Sequence, residues 1–354
     1  MRILHTGDLH FGASLGGFSL LAEQEELAGT LLSLVERERI GAVLLTGDLL
    51  ARTAAPAEAV SLYDRFLTAL CGKCPVYLLT GGDGSAARLA SLSGLLRGAG
   101  LYVQGSLRER PQPVRQADVE FWMLPHVRTT QVRALYPEAD IRGNSDAMRV
   151  LMDDIRARRD PSAVTVVAAH CLVEGTVLCE SDMPEGGARV SPSVFKGMDY
   201  VALGQLHRAQ QPAENIRYAG APYPYSFSEC AKTVTVFDTE SRGITALPVR
   251  TSRTLRAVRG RLADILAQQP SEDYLKIELT DRDAGLETRN TLRARFPHLV
   301  TLLGQRGETA EASRLPVDLL ARFCEEIGGT PAEQAHTDLF LTLLREAREG
   351  GAGA

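Results

Sequence analysis

Asp8 and His10 stand two residues apart at the end of an apolar segment that begins at Ile3, a carboxylate and an imidazole able to share one cation. Side chains two apart on a strand point to the same face, so the pair is expected to reach one ion at the strand's end. The buried-strand pattern Ala42–Thr46 ends the same way, delivering Gly47 and Asp48, and a carboxylate there can bridge two cations. Val164–Ala169 runs into His170, and the apolar segment from Tyr200 to Leu206 runs into His207. One histidine at a strand end is more often a hydrogen-bonded structural residue than a ligand, but four such ends in succession point to a metal centre. Imidazole and carboxylate without thiolate suit Mn²⁺, iron or Zn²⁺ rather than a cysteine-lined structural zinc site.

The elements that must position these groups alternate between strand and helix over residues 1–250, the pattern of a layered α/β domain with ligands at the carboxyl ends of strands. Leu20–Glu38 and Ala57–Leu70 are helical in pattern, and Lys232–Phe237 alternates like a closing strand. A second module after Pro248 reads strand, helix, strand, helix, strand over Thr254–Arg259, Leu262–Gln268, Tyr274–Leu279, Leu286–Phe296 and His298–Leu303. Gly304–Arg314 is a polar linker. Two helices follow, Pro316–Ile327 and Pro331–Glu349, with apolar stripes at Leu319, Leu320, Phe323 and Ile327 and at Leu339, Phe340, Leu343 and Leu344. These stripes either pack on the second module or dock on a partner.

The 354 residues are enough for more than one domain, and a net charge of −5 gives no global basic signature for nucleic acid. Affinity for phosphates would have to come from local patches such as Arg108–Arg115, Arg128–Arg133 or Arg156–Arg159, each of which reads equally well as a solvated face. No run approaches the ~18 apolar residues of a membrane span and the N-terminus lacks a secretory pattern, so a cytoplasmic protein without a membrane partner is expected. Cys71, Cys74, Cys171, Cys179, Cys230 and Cys324 form no disulfide framework and are expected to be free thiols.

These motifs resemble those of the calcineurin-like metallophosphoesterases and, within them, the SbcD family of nuclease subunits. The segments Asp199–Gly204, Arg217–Pro222 and Ser226–Glu229 are similar to the SbcD versions, and the resemblance covers nearly the whole chain. It implies a β-sandwich flanked by helices over 1–250, a small α/β domain over 251–304 that caps DNA, and a linker with a C-terminal helix-loop-helix over 305–354. It also implies an SbcC-like ATPase as partner through those helices, DNA ends as substrate, a homodimer within a heterotetramer, and Mn²⁺ as cofactor.

Three motifs depart from the family pattern. Where the family has Gly-Asn-His-Asp, this chain has Gly81-Gly82-Asp83-Gly84; where it has Gly-His-x-His, this chain has Gly204-Gln205-Leu206-His207; and where many members carry a second Asp, this chain has Ala51. Carried over residue by residue, the resemblance gives a complete first metal site of Asp8, His10, bridging Asp48 and His207. The second, Asp48, position 82, His170 and position 205, is degenerate at Gly82 and Gln205. Asp83 replaces the histidine that would contact the scissile phosphate; an unperturbed carboxyl titrates near ~3.9 and is anionic beside phosphate at neutral pH. Alternatively, Asp83 swings in as a substitute ligand, although Gly82 and Gly84 loosen that loop.

The expectation is therefore a subunit of an SbcC–SbcD-type complex, a double-strand exonuclease and single-strand endonuclease acting on DNA ends and hairpins in repair and recombination, whose own hydrolysis is weak or lost. The alternatives are a fully active Mn²⁺-dependent nuclease with a remodelled second site, and a small-molecule phosphodiesterase, for which the second module and tail helices would have no evident use.

Overall fold

The computed structural model describes residues 1–51, 55–81, 93–182, 189–229 and 231–304, together with 336, 337, 339 and 340. The expectations for Gly82, Asp83 and Gly84, for the linker, and for nearly all of the two tail helices fall outside the described residues.

Residues Met1–Thr254 form one compact unit and Leu255–Ala354 another. In the first, the strands are β1 (Arg2–Gly7), β2 (Ser14–Leu15), β3 (Phe18–Ser19), β4 (Ala42–Thr46), β5 (Val76–Leu79), β6 (Leu101–Gln104), β7 (Val114–Gln116) and β8 (Val119–Leu124). They continue through β9 (Val164–His170), β10 (Tyr200–Gly204), β11 (Gln210–Ala213), β12 (Ile216–Tyr218), β13 (Thr233–Asp238) and β14 (Ile244–Pro248). Two six-stranded sheets result, ordered β14-β13-β1-β4-β5-β6 and β11-β12-β10-β9-β8-β7. β1, β4, β5 and β6 are parallel, and helices α1 (Leu21–Arg37) and α2 (Ala57–Cys71) make the crossovers from β1 to β4 and from β4 to β5. Parallel strands covered on both faces demand continuous apolar runs, and this is what Ala42–Thr46 and Val76–Leu79 supply.

The sheets bury a shared layer: Ile3, Ala42, Leu44 and Tyr77 from one meet Phe121, Val166, Ala168 and Tyr200 from the other. Stacked rings join them, Tyr77 on Phe121 at 3.9 Å and Tyr200 on Phe237 at 4.5 Å. Beyond the second sheet, the helix Asn144–Arg158 turns Ala147, Met148, Leu151, Met152 and Ile155 toward Trp122, Leu124, Val167 and Val201. Among the described residues, the second unit holds a three-stranded parallel sheet, β15 (Leu255–Gly260), β16 (Tyr274–Leu279) and β17 (Leu299–Leu303), with crossover helices Leu262–Leu266 and Leu286–Arg295 packed through Ile265 and Leu292, and Phe296 just beyond the second helix.

A fully buried polar contact also pins the sheets together. His5 places Nδ1 2.8 Å from the Tyr200 hydroxyl and Nε2 2.9 Å from Thr46 Oγ1. Burial first, and Arg217 second, press its pKa down to about 3. The unfolded chain takes up that proton near ~6.5, so the contribution is complete above that pH and is lost as pH falls toward the folded value, at up to about 1.4 kcal/mol per unit. His10 and His170, also pushed down to about 3 by burial, act with the same sign. Denaturation midpoints of the metal-free chain are expected to fall between pH 7 and pH 5, and to fall less in His5→Gln. Equal losses in the two proteins would rule out titration of His5 as a source.

Candidate metal centre

The carboxyl ends of β1, β4 and β5 lie side by side, with Gly7 opposite Thr46 and Thr46 opposite Leu79, while in the second sheet Gly204 sits opposite His170. Asp8, His10 and His207 are not delivered by strand alternation, however. β1 ends at Gly7, and Asp8 and His10 lie beyond it in left-handed backbone with φ of 26° and 43°. The turns after β1 and β4 remain zipped, His10 N donating to Asp48 O at 3.0 Å and Phe11 N to Leu49 O at 2.8 Å. β10 likewise stops at Gly204, and Gln205, at φ 100°, redirects the chain so that His207 enters from a loop.

Asp8, His10 and His207 converge, with ligand atoms within 4.8 Å of one another. The two Nε2 atoms of His10 and His207 face each other at 3.0 Å. Two imidazoles bound to one ion at roughly 2.0–2.1 Å stand about 3–3.4 Å apart, so this spacing fits a shared cation. Asp8 is 3% exposed, its Oδ1 accepts the Asp48 N–H at 3.2 Å, and its Oδ2 is buried with no hydrogen-bond partner. A buried orphan carboxylate oxygen is costly, and a cation relieves it. Burial raises the Asp8 pKa, His207 opposing the shift. At His207 burial works against the cation, but the contact with Glu229 and the charges of Asp8 and Asp182 outweigh it and raise the pKa.

Close approach of backbone makes room for both carboxylates. A Cβ on Gly47, at φ 123°, would lie 2.1 Å from Asp8 Oδ1, and one on Gly81 would lie 2.1 Å from Asp48 Oδ1. His170 lies at the end of β9, with Nδ1 buried and unpartnered, and lines a small cavity with Gln205 and His126. The His126 and His170 rings are 6.3 Å apart edge to face. The open cleft above the first cluster, about 310 Å³, is bounded by His10, His207, Ser14, Ala51, Ser181 and Tyr225.

Several contributors escape a reading of strand ends. Gln24, wholly buried on α1, donates to His10 O at 2.7 Å and accepts the Gly12 N–H at 2.8 Å, holding the turn that carries His10. Glu229 accepts the N–H groups of Tyr225 and Ser226 at 2.7 and 2.8 Å, pairs with Lys232, and stands 3.7 Å from His207 Nδ1. Asp182 accepts the His207 N–H at 2.8 Å and the Cys179 N–H at 2.7 Å, one oxygen each, so it braces the loop. Cys71, Cys74, Cys171 and Cys179 are free, and burial pushes Cys74 up to about 11 and Cys171 up to about 12.

Much of the arginine in the basic stretches is engaged within the unit. Arg115 pairs with Glu120 at 2.6 Å, Arg133 donates to Ile141 O at 2.8 Å, Arg158 donates to Pro111 O at 2.5 Å, and Arg110 lies over Tyr136. These groups serve the fold before they serve a ligand. No helix among the described residues is long and apolar enough to cross a membrane.

The family model for the calcineurin-like phosphoesterases matches residues 1–81, and SbcD_C, described as the type 5 capsule protein repressor C-terminal domain, matches 251–327. Among curated proteins, the chain is similar to the SbcD component of the SbcCD nuclease of Bacillus subtilis, 28% identical with 99% of each chain covered. It is also similar to the Staphylococcus epidermidis protein of the same name, 25% identical with 85% of each covered. Among solved structures, TT1561 of Thermus thermophilus is similar at 13% identity and a TM-score of 0.42, covering 70% of this chain and 99% of that one. Residues 1–81 thus match a calcineurin-like phosphoesterase domain, of a family that uses divalent metal. Together with the SbcD_C match and these curated relatives, this supports an SbcD-type metallophosphoesterase.

Proposed function

We propose that this chain is the SbcD component of an SbcC–SbcD-type DNA nuclease complex, with one working metal site, an eroded second and weak or lost hydrolysis of its own. The carrying observation is the buried, unpartnered Asp8 Oδ2 beside the facing imidazoles of His10 and His207. Asp8, His10, Asp48 and His207 would hold Mn²⁺, which when bound supplies Lewis acidity and lowers the pKa of water. Opposite them, Gln205 offers a neutral amide where an imidazole would bind more strongly, and Gly82 offers no side chain. Asp83, anionic near neutral pH, would repel the phosphodiester rather than stabilise its transition state. The protein acts on DNA ends as a cytoplasmic homodimer within a heterotetramer, residues 251–304 capping DNA and the C-terminal helices binding the ATPase.

A remodelled, active second site has one observation in its favour: His126 faces His170 and Gln205 across the small cavity. Loss of a second Mn²⁺ equivalent in His126→Ala would support it.

The assembly is tested by co-purification with the SbcC-like ATPase. Deleting 316–354 is expected to abolish it while leaving metal binding and the main thermal transition unchanged. Full-affinity binding by the truncated chain, or its unfolding, would assign the helices to the chain's own core. Since the SbcD_C match runs to residue 327, deleting 331–354 isolates the last helix.

A further inference from the structure

We propose that Ser181 and Glu229 form a relay that fixes the His207 ring as its Nδ1–H tautomer, presenting a bare Nε2 to Asp8 and His10; this rests on reading that cluster as a metal centre. The direction follows from donor and acceptor counting. An ionised carboxylate only accepts hydrogen bonds, and Glu229, with no exposed side-chain surface, is held in that state by Lys232 against it. Ser181 Oγ, 2.7 Å from Glu229 Oε1, must spend its one hydrogen there. Only lone pairs are then left for His207 Nδ1, 2.9 Å from the same Oγ, so the ring nitrogen must donate. The opposite tautomer would aim an N–H at the ligand cluster and leave two acceptors, Nδ1 and Ser181 Oγ, in contact.

The relay also fixes the ring's orientation. Lys232 Nζ, besides pairing with Glu229, donates to His207 O at 3.0 Å, and Asp182 accepts the His207 N–H. Backbone and ring of one ligand are thus anchored to a single buried ion pair. Ser181 and Glu229 are positioning residues: neither reaches the cation cluster itself. Partners of this kind, behind a metal-bound imidazole, typically change metal affinity about 10–100-fold.

The test uses the full-length chain labelled with ¹⁵N-histidine, metal-free and in alkaline buffer where the ring is neutral, with His207 assigned through His207→Gln. The expected spectrum shows a protonated Nδ1 and an unprotonated Nε2. Ser181→Ala should lose that signature and bind Mn²⁺ about 10–100-fold more weakly, and Ser181→Thr should restore both. Glu229→Gln, whose amide donates as well as accepts, should populate both tautomers. An Nε2–H tautomer in the unmodified chain, or a Ser181→Ala protein with unchanged spectrum and Mn²⁺ affinity, would overturn the relay. Absence of Mn²⁺ binding by a wild-type chain that shows the expected tautomer would instead sink the metal-centre reading and leave the relay standing.

Discussion

Installing Gly82→Asn, Asp83→His, Gly84→Asp and Gln205→His together is expected to raise Mn²⁺-dependent DNA cleavage by orders of magnitude. Two-metal hydrolysis needs both ions, roughly 3.5–4 Å apart, to aim the nucleophile and to carry the charge that develops on the phosphoryl oxygens. In this chain Asp8, His10 and His207 converge, whereas the second site implied by the resemblance would keep His170 and the shared Asp48 but has an amide at position 205 and no side chain at 82. The four changes supply two ligands that the family pattern has and exchange an anionic side chain at position 83 for an imidazole. Gln205 already occupies backbone at φ 100°, and histidine tolerates positive φ better than most residues, so that exchange adds little strain. Single reversions should do little, because the residues of a catalytic site act as a unit. The measurement is single-turnover cleavage of a hairpin or blunt-ended duplex by the complex with its ATPase. Robust cleavage by the unmodified chain, abolished by His170→Ala, would show the second site working as it stands.

The strands that lead to the candidate ligands are legible because their burial on both faces leaves continuous apolar runs, and Ala42–Thr46 coincides with its predicted bounds. How the ligands converge was not legible. A period of two assigned Asp8 and His10 to one strand face, whereas left-handed turns past the strand do the work, stabilised by pairing between two loops far apart in sequence. His207 reads as a strand terminus because Leu206 is apolar; the break at Gln205 is a tertiary effect, the chain bending so that His207, two residues on, is clamped by Asp182 and Lys232. Gln24 has no local signature, and Glu229 lies in a segment whose resemblance to the family says nothing of its contact with His207. A buried glutamine on an otherwise amphipathic α1 and a glutamate within Ser226–Glu229 acquire their roles only when folding brings distant backbone and side chains to them. His126 follows the proline that ends β8, outside any recurring pattern, and meets His170 only across neighbouring strand ends.

One intact metal site beside an eroded one fixes how many Mn²⁺ ions the purified full-length chain should hold. Calorimetric titration, with elemental analysis of the dialysed protein, is expected to give one tight equivalent per chain and a second that is weak or missing. The tight one should disappear in Asp8→Asn combined with His207→Ala, which remove the orphaned carboxylate and one of the facing imidazoles. Two tight equivalents in the unmodified chain would mean that the second site is not eroded and has been rebuilt from the residues the chain retains.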